Sequence, residues 1–209
     1  MTDFSKLPLA DFLRALASEA PTPGGGTAAA VAGAMGAALV EMVAALTLSK
    51  EKYASAHGAV RVIAEAASAA RESLCGLARE DSEAYDRVVE ARRLPKESPE
   101  QKEERNRLLS VANRLATEVP MRTARAAVRL LAALPELVEK GNPNAASDAG
   151  SAALLLEAAT ESALLNVGIN LAGISDADFV GQMQRETADL QTEAQRLRDQ
   201  VLAAVRRRF

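Results

Sequence analysis

The feature that most constrains the fold is the stretch from Thr27 to Leu48, which carries a single charge, Glu41. A helix this apolar must be covered on most of its sides, so it is expected in the centre of a bundle. Its length also suits a membrane span, and a membrane-associated helical protein is kept as a minor alternative. Gly33 and Gly36 leave room for a second backbone. We therefore expect this helix to be the hub of a bundle or of a subunit interface.

Composition favours helices over sheets for the rest of the chain. Hydrophobic residues make up 48% of the sequence but aromatic residues only 3%, and tryptophan is absent. Such a core is built from Ala, Leu and Val, which suits closely packed helices. No linker-like stretch divides the 209 residues, so we expect one helical domain over 1–209. The predicted fold is an all-α multi-helix bundle with long antiparallel helices.

Charge and residue counts exclude several classes of function. A net charge of -3 provides no basic surface for nucleic acid. One cysteine, Cys75, allows neither an intrachain disulfide nor a cysteine zinc cluster. One histidine, His57, allows no multi-histidine metal site and is expected at the start of a helix, so no metal is expected. The N-terminus lacks the pattern of a secretory signal, which makes the cytoplasm the expected location.

A long helix is predicted from Ala59 to Arg92. One side of it repeats at alternating spacings of three and four, the pattern of helices packed in bundles. The positions are Val60, Ile63, Ala67, Ala70, Leu74, Leu77, Asp81, Ala84 and Val88. Asp81 is the polar exception, and it is either paired with a neighbouring cation, solvated, or held for chemistry. Tyr85 lies one turn further on the same face.

Prolines and small polar residues mark the expected ends of other helices. A helix is predicted to begin near Ser98 or Pro99, since proline is compatible with a first turn. Pro120 removes a backbone hydrogen bond within that helix and predicts a kink or a break. Ser175 and Asp178 form a capping-box-like start for a final amphipathic helix.

Three adjacent glycines stand directly before the apolar helix, in the segment "PTPGGGTAAA" at 21–30. Gly24, Gly26 and Ala29 formally match a dinucleotide fingerprint, but the preceding segment does not have the pattern of a strand. No lysine follows at the spacing of a phosphate-binding loop, so a nucleotide triphosphate site is disfavoured as well. The glycines instead expose backbone amides at a helix start, where a carboxylate can bind.

A second entry from loop to helix lies in "GNPNAASDAG" at 141–150. Its turn-forming and capping residues are Asn142, Asn144, Ser147 and Asp148. Capping alone accounts for these residue types, and a functional role is the alternative. Further along, Asn166 and Asn170 lie on one helical face, and amides buried there need hydrogen-bond partners.

Taken together, these segments resemble the cyclodeaminase/cyclohydrolase family, which includes the cyclodeaminase part of formiminotransferase-cyclodeaminase. The resemblance rests on "PTPGGGTAAAVAGAMGAALVEMVAALTLSKEKY", "DSEAYDRVVEARRLPK", "ATEVPM" and "GNPNAASDAG...ALLNVGINL", and it covers most of the chain. It implies an all-helical, homodimeric enzyme of folate one-carbon metabolism. Thr27 stands where the family is expected to have serine, and "SKEKY" is less basic than expected.

The resemblance also implies a reaction and its participants. The substrate is a tetrahydrofolate derivative, with no metal. Family members close 5-formimino-tetrahydrofolate to 5,10-methenyl-tetrahydrofolate with loss of ammonia, as a lyase, or hydrolyse the methenyl compound to 10-formyl-tetrahydrofolate, as a hydrolase. Both activities stay open for this chain, and a non-catalytic folate-binding or helical scaffold protein is the alternative. A separate formiminotransferase is a candidate partner.

Both reactions need a positioned proton carrier, and a carboxylate also stabilises the cationic methenyl bridge. The catalytic candidates are Asp148 and Asp81, and Asp148→Asn is expected to abolish turnover. Candidates for substrate binding supply free amides, a cation, an aromatic ring and amide side chains for the glutamate and pterin ends of folate. They are Gly24, Gly25, Gly26, Thr27, Lys50, Tyr85, Asn142, Asn144, Ser147 and Asn166.

Overall fold

The structure, a computed structural model, describes residues 3–208 apart from the side chain of Ser5. Helices account for most of this range, and no strand occurs within it. The α-helices are α1 (Leu9–Leu16), α2 (Gly25–Leu48), α3 (His57–Arg93), α4 (Pro99–Leu131), α5 (Leu134–Lys140), α6 (Ala146–Leu171) and α7 (Ala177–Arg206). Short 3-10 helices span Phe4–Lys6, Glu51–Ala56 and Pro143–Ala145. The all-α prediction is confirmed.

Helix α2 is the hub that its sequence predicts, packing mainly against α3 and α6. A Cβ atom added at Gly33 would lie 3.2 Å from the Leu74 methyl carbons of α3 and 3.3 Å from the Ala159 Cβ of α6. One added at Gly36 would lie 2.9 Å from Leu156 Cγ, also on α6. The small residues of α2 therefore allow both neighbours to approach its backbone closely.

The contacts between α2 and α6 show which of their ends meet. At the start of α2, a Cβ at Gly25 would lie 3.3 Å from the side-chain nitrogen of Asn166, near the end of α6. At the other end of α2, the Thr47 hydroxyl accepts a hydrogen bond of 2.9 Å from the backbone amide of Asn142, just before α6. The ends of α2 are about 34 Å apart at 1.5 Å per residue. The residues predicted for the site are thereby divided between two distant ends.

The predicted apolar side of α3 is confirmed as the face that packs in the core. Val60, Leu74 and Leu77 are buried along it, and so is Val88 near its end. Asp81 occupies the same side but is only partly buried. As expected, His57 begins the helix.

Helix α4 passes through Pro120 without the break that the sequence suggested. A proline at position 120 cannot donate a hydrogen bond to the carbonyl of Ala116, four residues earlier. In the structure, the side-chain amide of Asn170 on α6 donates to that carbonyl over 2.6 Å. A tertiary contact thus replaces the missing helical bond. At the start of α4, Ser98 forms the capping box that its position suggests.

The start of α7 differs from the prediction by one residue. Asp176, rather than Ser175, is the N-cap, and its side chain accepts a 3.0 Å hydrogen bond from the amide of Phe179. Asp176 also pairs with Arg114 of α4 at 2.9 Å. The carboxylate therefore both caps α7 and connects it to α4, which a serine cannot do.

Two segments, Gly25–Leu48 and Pro143–Leu171, have the length and hydropathy of membrane spans. Within the most apolar part of each, 50% and 44% of the residues are buried inside the molecule. Core helices of soluble proteins have the same properties, so this composition does not itself indicate a membrane. The faces left uncovered include Met35 of α2 and Leu165 and Ile169 of α6.

Candidate functional site

A cavity of about 330 Å³ lies where α2 begins. Its walls come from the loop before α2, the second half of α3, the middle of α4 and the end of α6. The lining residues are Pro21, Thr22, Gly24, Gly25, Gly26, Asp81, Tyr85, Val88, Arg92, Asn113, Ala116, Asn166, Ile169, Asn170 and Gly173. Other cavities of similar size border α4 and α7, but their lining holds none of the residues predicted for the site.

Asp81 is the carboxylate of this cavity. The Thr27 hydroxyl donates to its Oδ2 over 2.9 Å, and the Ser82 hydroxyl lies 3.1 Å from that of Thr27. Burial raises the pKa of Asp81, while hydrogen bonds from the Thr27 hydroxyl and backbone amide oppose the rise. No ion pair of the described residues involves Asp81. The alternative that Asp81 is paired with a neighbouring cation is therefore not met among the described residues.

Gly26, in the first turn of α2, is needed for space rather than for an unusual backbone angle. Gly24 is the N-cap in an extended conformation, and no glycine among residues 3–208 has a positive φ. A Cβ at Gly26 would lie 2.8 Å from Asp81 Oδ2, closer than real Cβ contacts come. Only glycine at this position lets the carboxylate reach the start of α2.

The predicted role of the exposed amides changes accordingly. We expected the amides of Gly25, Gly26 and Thr27 to receive a substrate carboxylate, but the Thr27 amide is bonded to Asp81. A carboxylate at the first turn also complements the helix dipole. Thr27 itself is fully buried, so its hydroxyl positions Asp81 and does not face the cavity.

Tyr85 and Asn166 lie where the prediction needs them. Tyr85 is 39% exposed and lines the cavity one turn after Asp81. Asn166 lines it beside Gly25, with its side-chain amide donating to the Ser162 carbonyl over 2.8 Å. The structure therefore brings Gly24, Gly25 and Gly26 together with Asp81, Tyr85 and Asn166.

Four polar residues of the cavity were not predicted for the site: Thr22, Arg92, Asn113 and Asn170, the last noted only as an amide in need of a partner. Asn113 donates to the Gly173 carbonyl over 3.0 Å, and Asn170 donates to the Ala116 carbonyl. Both amides hold α4 against the end of α6, a pairing that no sequence signal indicates. Arg92 was detectable, because it follows Asp81 by eleven residues, or about three helical turns, on the face that Tyr85 shares.

The other predicted site residues lie at the opposite end of α2 and α6. They are Lys50, Asn142, Asn144, Ser147 and Asp148. Asp148, in the first turn of α6, is about 27 Å from Asn166 along the helix at 1.5 Å per residue. Within the described chain, the two catalytic candidates therefore do not share a cavity.

Asn142 is occupied by contacts within the protein. Its side-chain oxygen accepts from the Tyr53 hydroxyl at 3.2 Å and from the Asn144 amide at 3.1 Å. Its side-chain nitrogen donates to the Leu46 carbonyl at 3.4 Å, and the residue is 5% exposed. Asn142 thus joins the segments that follow α2 and precede α6, and the pterin contact predicted for it has no free surface.

The described residues contain no group of three or more His, Cys, Asp or Glu side chains placed to hold a metal ion. In the cavity, Asp81 and Arg92 are the charged side chains, and the other polar side chains are amides, a tyrosine and a threonine. This set can bind and transfer protons with one carboxyl group and hold planar polar rings with its amides.

A family model described as formiminotransferase-cyclodeaminase matches residues 8–189. The match includes all of the cavity. This chain belongs to the formiminotransferase-cyclodeaminase family. The resemblance seen in the glycine segment and the Asp81 helix is thereby confirmed.

Named relatives within the family differ in length and in activity. The chain is 40% identical over 195 residues to a methenyltetrahydrofolate cyclohydrolase of Methylorubrum extorquens, covering 93% of this chain and 94% of that one. It is 35% identical to the formimidoyltransferase-cyclodeaminase of Sus scrofa, covering 90% of this chain but 35% of the pig enzyme. The chain thus spans about a third of the bifunctional relatives and nearly all of the cyclohydrolase.

A solved structure has the same fold. The crystal structure of formiminotetrahydrofolate cyclodeaminase from Thermotoga maritima superposes with a TM-score of 0.86 at 35% sequence identity. The match covers 96% of both chains. Similarity at this level extends over the whole helical arrangement, including the helices that carry the cavity.

Proposed function

We propose that this protein hydrolyses 5,10-methenyl-tetrahydrofolate to 10-formyl-tetrahydrofolate, with Asp81 as the group that moves the proton. The observation that carries the proposal is the Asp81 carboxylate in the cavity, free of any ion pair among the described residues and with its pKa raised by burial. A carboxyl group whose pKa is raised by burial is a better proton acceptor than an ordinary one and can also return the proton. The similarity to the cyclohydrolase over nearly its full length supports the choice of reaction.

In this hydrolysis Asp81 acts first as a general base and then as a general acid. Water attacks the bridging carbon of the cationic methenyl group while the Asp81 carboxylate accepts a proton from it. The carboxyl group then returns that proton to N5 as the bond between carbon and N5 breaks. The remaining hydroxyl loses its proton to solvent and becomes the formyl oxygen on N10. Before attack, the negative carboxylate also stabilises the cationic bridge.

Thr27 and Ser82 fix the orientation of the carboxylate. When Asp81 is ionised, the Thr27 hydroxyl donates to it, so the remaining 3.1 Å contact is a bond from Ser82 to Thr27. This chain of hydroxyls holds the carboxylate at the start of α2, where Asp81 lines the cavity.

Cyclodeamination of 5-formimino-tetrahydrofolate is the second candidate, favoured by the fold shared with the Thermotoga maritima enzyme. N10 attacks the carbon of the protonated formimino group, Asp81 accepts the N10 proton, and the departing nitrogen receives it and leaves as ammonia. The methenyl cation remains. In this case we propose that a formiminotransferase on another polypeptide supplies the substrate.

The absorbance of the methenyl group tests the proposal and separates the two reactions. Faster loss of 5,10-methenyl-tetrahydrofolate than in protein-free buffer supports the hydrolase, and appearance of the same chromophore from 5-formimino-tetrahydrofolate supports the deaminase. Tetrahydrofolate binding without either change would indicate the non-catalytic folate-binding protein. Absence of both binding and turnover would contradict the folate assignment.

We also propose that the protein is a homodimer joined through the uncovered faces of α2 and α6. Met35 and Met42 are exposed seven residues apart on α2, and Leu165 and Ile169 are exposed four apart on the neighbouring α6. Such paired apolar stripes on adjacent helices suit contact with the same stripes of a second copy.

Light scattering after gel filtration in detergent-free buffer tests this dimer. We expect the mass of two chains for the wild type and of one chain for Leu165→Glu. Val62→Glu, which changes a residue of α3 that is 66% exposed, is the matched control and should remain dimeric. Recovery only in detergent micelles would favour the membrane alternative, and a monomeric wild type would contradict the dimer.

A further inference from the structure

Among the described residues that line the cavity, Arg92 is the cation and Asp81 the anion. Asp81, Tyr85, Val88 and Arg92 all line the cavity and follow one another on α3 at spacings of four, three and four. This spacing places them on one face of the helix. The Cα atoms of Asp81 and Arg92 are about 16 Å apart at 1.5 Å per residue. The wall therefore has a carboxylate at one end and a guanidinium at the other.

The Arg92 side chain has no partner among residues 3–208. Its backbone carbonyl accepts from Arg105, with both contacts at 3.4 Å, but no hydrogen bond or ion pair of its guanidinium occurs within that range. Two arginines of the neighbouring helix α4 are engaged by contrast: Arg114 pairs with Asp176 at 2.9 Å, and Arg122 pairs with Glu80 at 2.5 Å. Arg92 thus lines the cavity with its donors unused.

We propose that Arg92 binds the carboxylates of the glutamate part of the folate substrate. The inference rests on the proposed function, in which the bridging carbon meets Asp81. In folates the glutamate is separated from N10 by a p-aminobenzoyl group, so its carboxylates lie well away from the reacting carbon. The Cα atom of Arg92 lies about three helical turns from that of Asp81. This places a guanidinium at the end of the cavity wall away from the reacting carbon. Its planar fork binds a carboxylate with two parallel hydrogen bonds.

The residues between the two charges suit the p-aminobenzoyl spacer. Tyr85 and Val88 occupy the intervening turns of α3 and line the same cavity. An aromatic ring and an aliphatic side chain give a planar ring an apolar surface on which to pack. Arg92 thereby also sets the direction in which the substrate lies along α3.

Lys50, the cation that the sequence suggested for this role, lies at the far end of α2. Within one chain it is separated from Asp81 by the length of that helix, about 34 Å at 1.5 Å per residue. A substrate whose reacting carbon is at Asp81 does not reach Lys50 of the same chain. Within one chain, Arg92 is therefore better placed than Lys50 to receive the glutamate.

The experiment compares Arg92→Gln with Arg93→Gln on substrates with and without glutamate. Arg93 is the adjacent residue in the last turn of α3, is exposed, and does not line the cavity. For 5,10-methenyl-tetrahydrofolate we expect Arg92→Gln to raise KM about tenfold, a loss of about 1.4 kcal/mol, with kcat little changed. Arg93→Gln should match the wild type.

The same measurement on 5,10-methenyl-tetrahydropteroate, which lacks glutamate, isolates the contact. We expect the wild type and Arg92→Gln to have equal KM values for it, and Arg92→Lys to give an intermediate KM for the full substrate. Equal KM values for Arg92→Gln and Arg93→Gln on the full substrate would overturn the proposal. So would an Arg92→Gln effect of the same size on the pteroate compound.

Calorimetric binding of tetrahydrofolate and tetrahydropteroate separates this inference from the proposed function. A wild type that binds tetrahydrofolate without turnover contradicts the enzyme assignment, while the comparison of Arg92→Gln with Arg93→Gln still tests the glutamate contact. A wild type that neither binds nor turns over contradicts both. Equal thermal unfolding of the two variants would show that a loss of binding is not a loss of folding.

Discussion

The two ends of α2 both carry turn-forming and polar residues, but they use them differently. At the C-terminal end of α2, near the first turn of α6, the side-chain oxygen and nitrogen of Asn142 make three hydrogen bonds within the protein. At the start of α2, Asp81 is held by the hydroxyl and the backbone amide of Thr27 and lines a cavity. The polar residues around Asn142 hold segments of the fold together, whereas Asp81 is a titratable group that lines a cavity and is available for chemistry.

This difference shows what separates a structural polar cluster from a candidate site. Caps and turns draw on the same residue types as catalysis does, so residue type alone does not distinguish them. Asp148 suits the first turn of a helix, and it does not line the cavity that contains Asp81. Asp81 departs from the apolar pattern of α3, and its burial raises its pKa. Pairs of variants, one from each end of α2, test this difference between the two regions.

The largest expected effect is on turnover. Asp81→Asn removes the proton carrier and should lower kcat by about 10²- to 10⁴-fold, whereas Asp148→Asn should leave kcat close to the wild-type value. Steady-state assays of methenyl loss measure both. The reverse result would move the chemistry to the other end of α2 and restore the expectation drawn from the sequence.

The next effect concerns the space beside Asp81. Gly26→Ala places a Cβ against the carboxylate, so we expect about 1–3 kcal/mol of destabilisation from overpacking together with reduced kcat. Gly76→Ala on α3, where an added Cβ meets nothing within 4 Å, should instead stabilise the protein by about 0.4–1 kcal/mol. Urea unfolding gives both free energies. A neutral Gly26→Ala would mean that the glycine is not required by Asp81.

At the opposite end, Asn142→Ala should lower stability by about 1–3 kcal/mol, because it leaves the buried groups that it bonds without partners. Its kcat should stay unchanged. Asn144→Ala is the control, since that residue is exposed and contributes only its backbone amide to the cluster. Loss of kcat in Asn142→Ala at constant stability would assign this end a functional role.

The smallest effect is a change of stability with pH. Since burial raises the pKa of Asp81 above its unfolded value, the native state binds more protons than the unfolded state between the two values. The stability of the wild type relative to Asp81→Asn should therefore rise as pH falls through the folded pKa, and the gain should be complete below about pH 4. Urea unfolding of both proteins across this range, at constant ionic strength, measures the difference. A flat or opposite trend would show that burial does not penalise the ionised form.

Local patterns predicted most of the helices. The apolar run of α2, the spacing of α3 and the Ser98 cap of α4 each depend on nearby residues, and each appears as expected. The errors occur where a distant residue intervenes. Asn170 satisfies the carbonyl freed by Pro120, so α4 continues, and Asp176 gains Arg114 as a partner at the start of α7.

The sequence predicted only part of the candidate site, again because residues distant in the chain decide which side chains meet. Gly26, Asp81, Tyr85 and Asn166 stood out as local exceptions, and the structure brings them to one cavity. Lys50 and Asp148 stood out equally, yet they lie at the far end. Helical spacing says which residues share a face of one helix, but it does not say which ends of two helices meet.

The sequence by itself determined that this chain is helical, that α2 lies at its centre, and that its family is that of formiminotransferase-cyclodeaminase. Periodicity, small residues and a rare glycine segment are local properties of the sequence, and they do not depend on how the helices pack. Only the tertiary structure decided that Gly26 makes room for Asp81 and that Arg92 lines the same cavity. Those facts depend on α2, α3 and α6 meeting at particular ends, because a site is defined by distances between helices that the chain order does not contain.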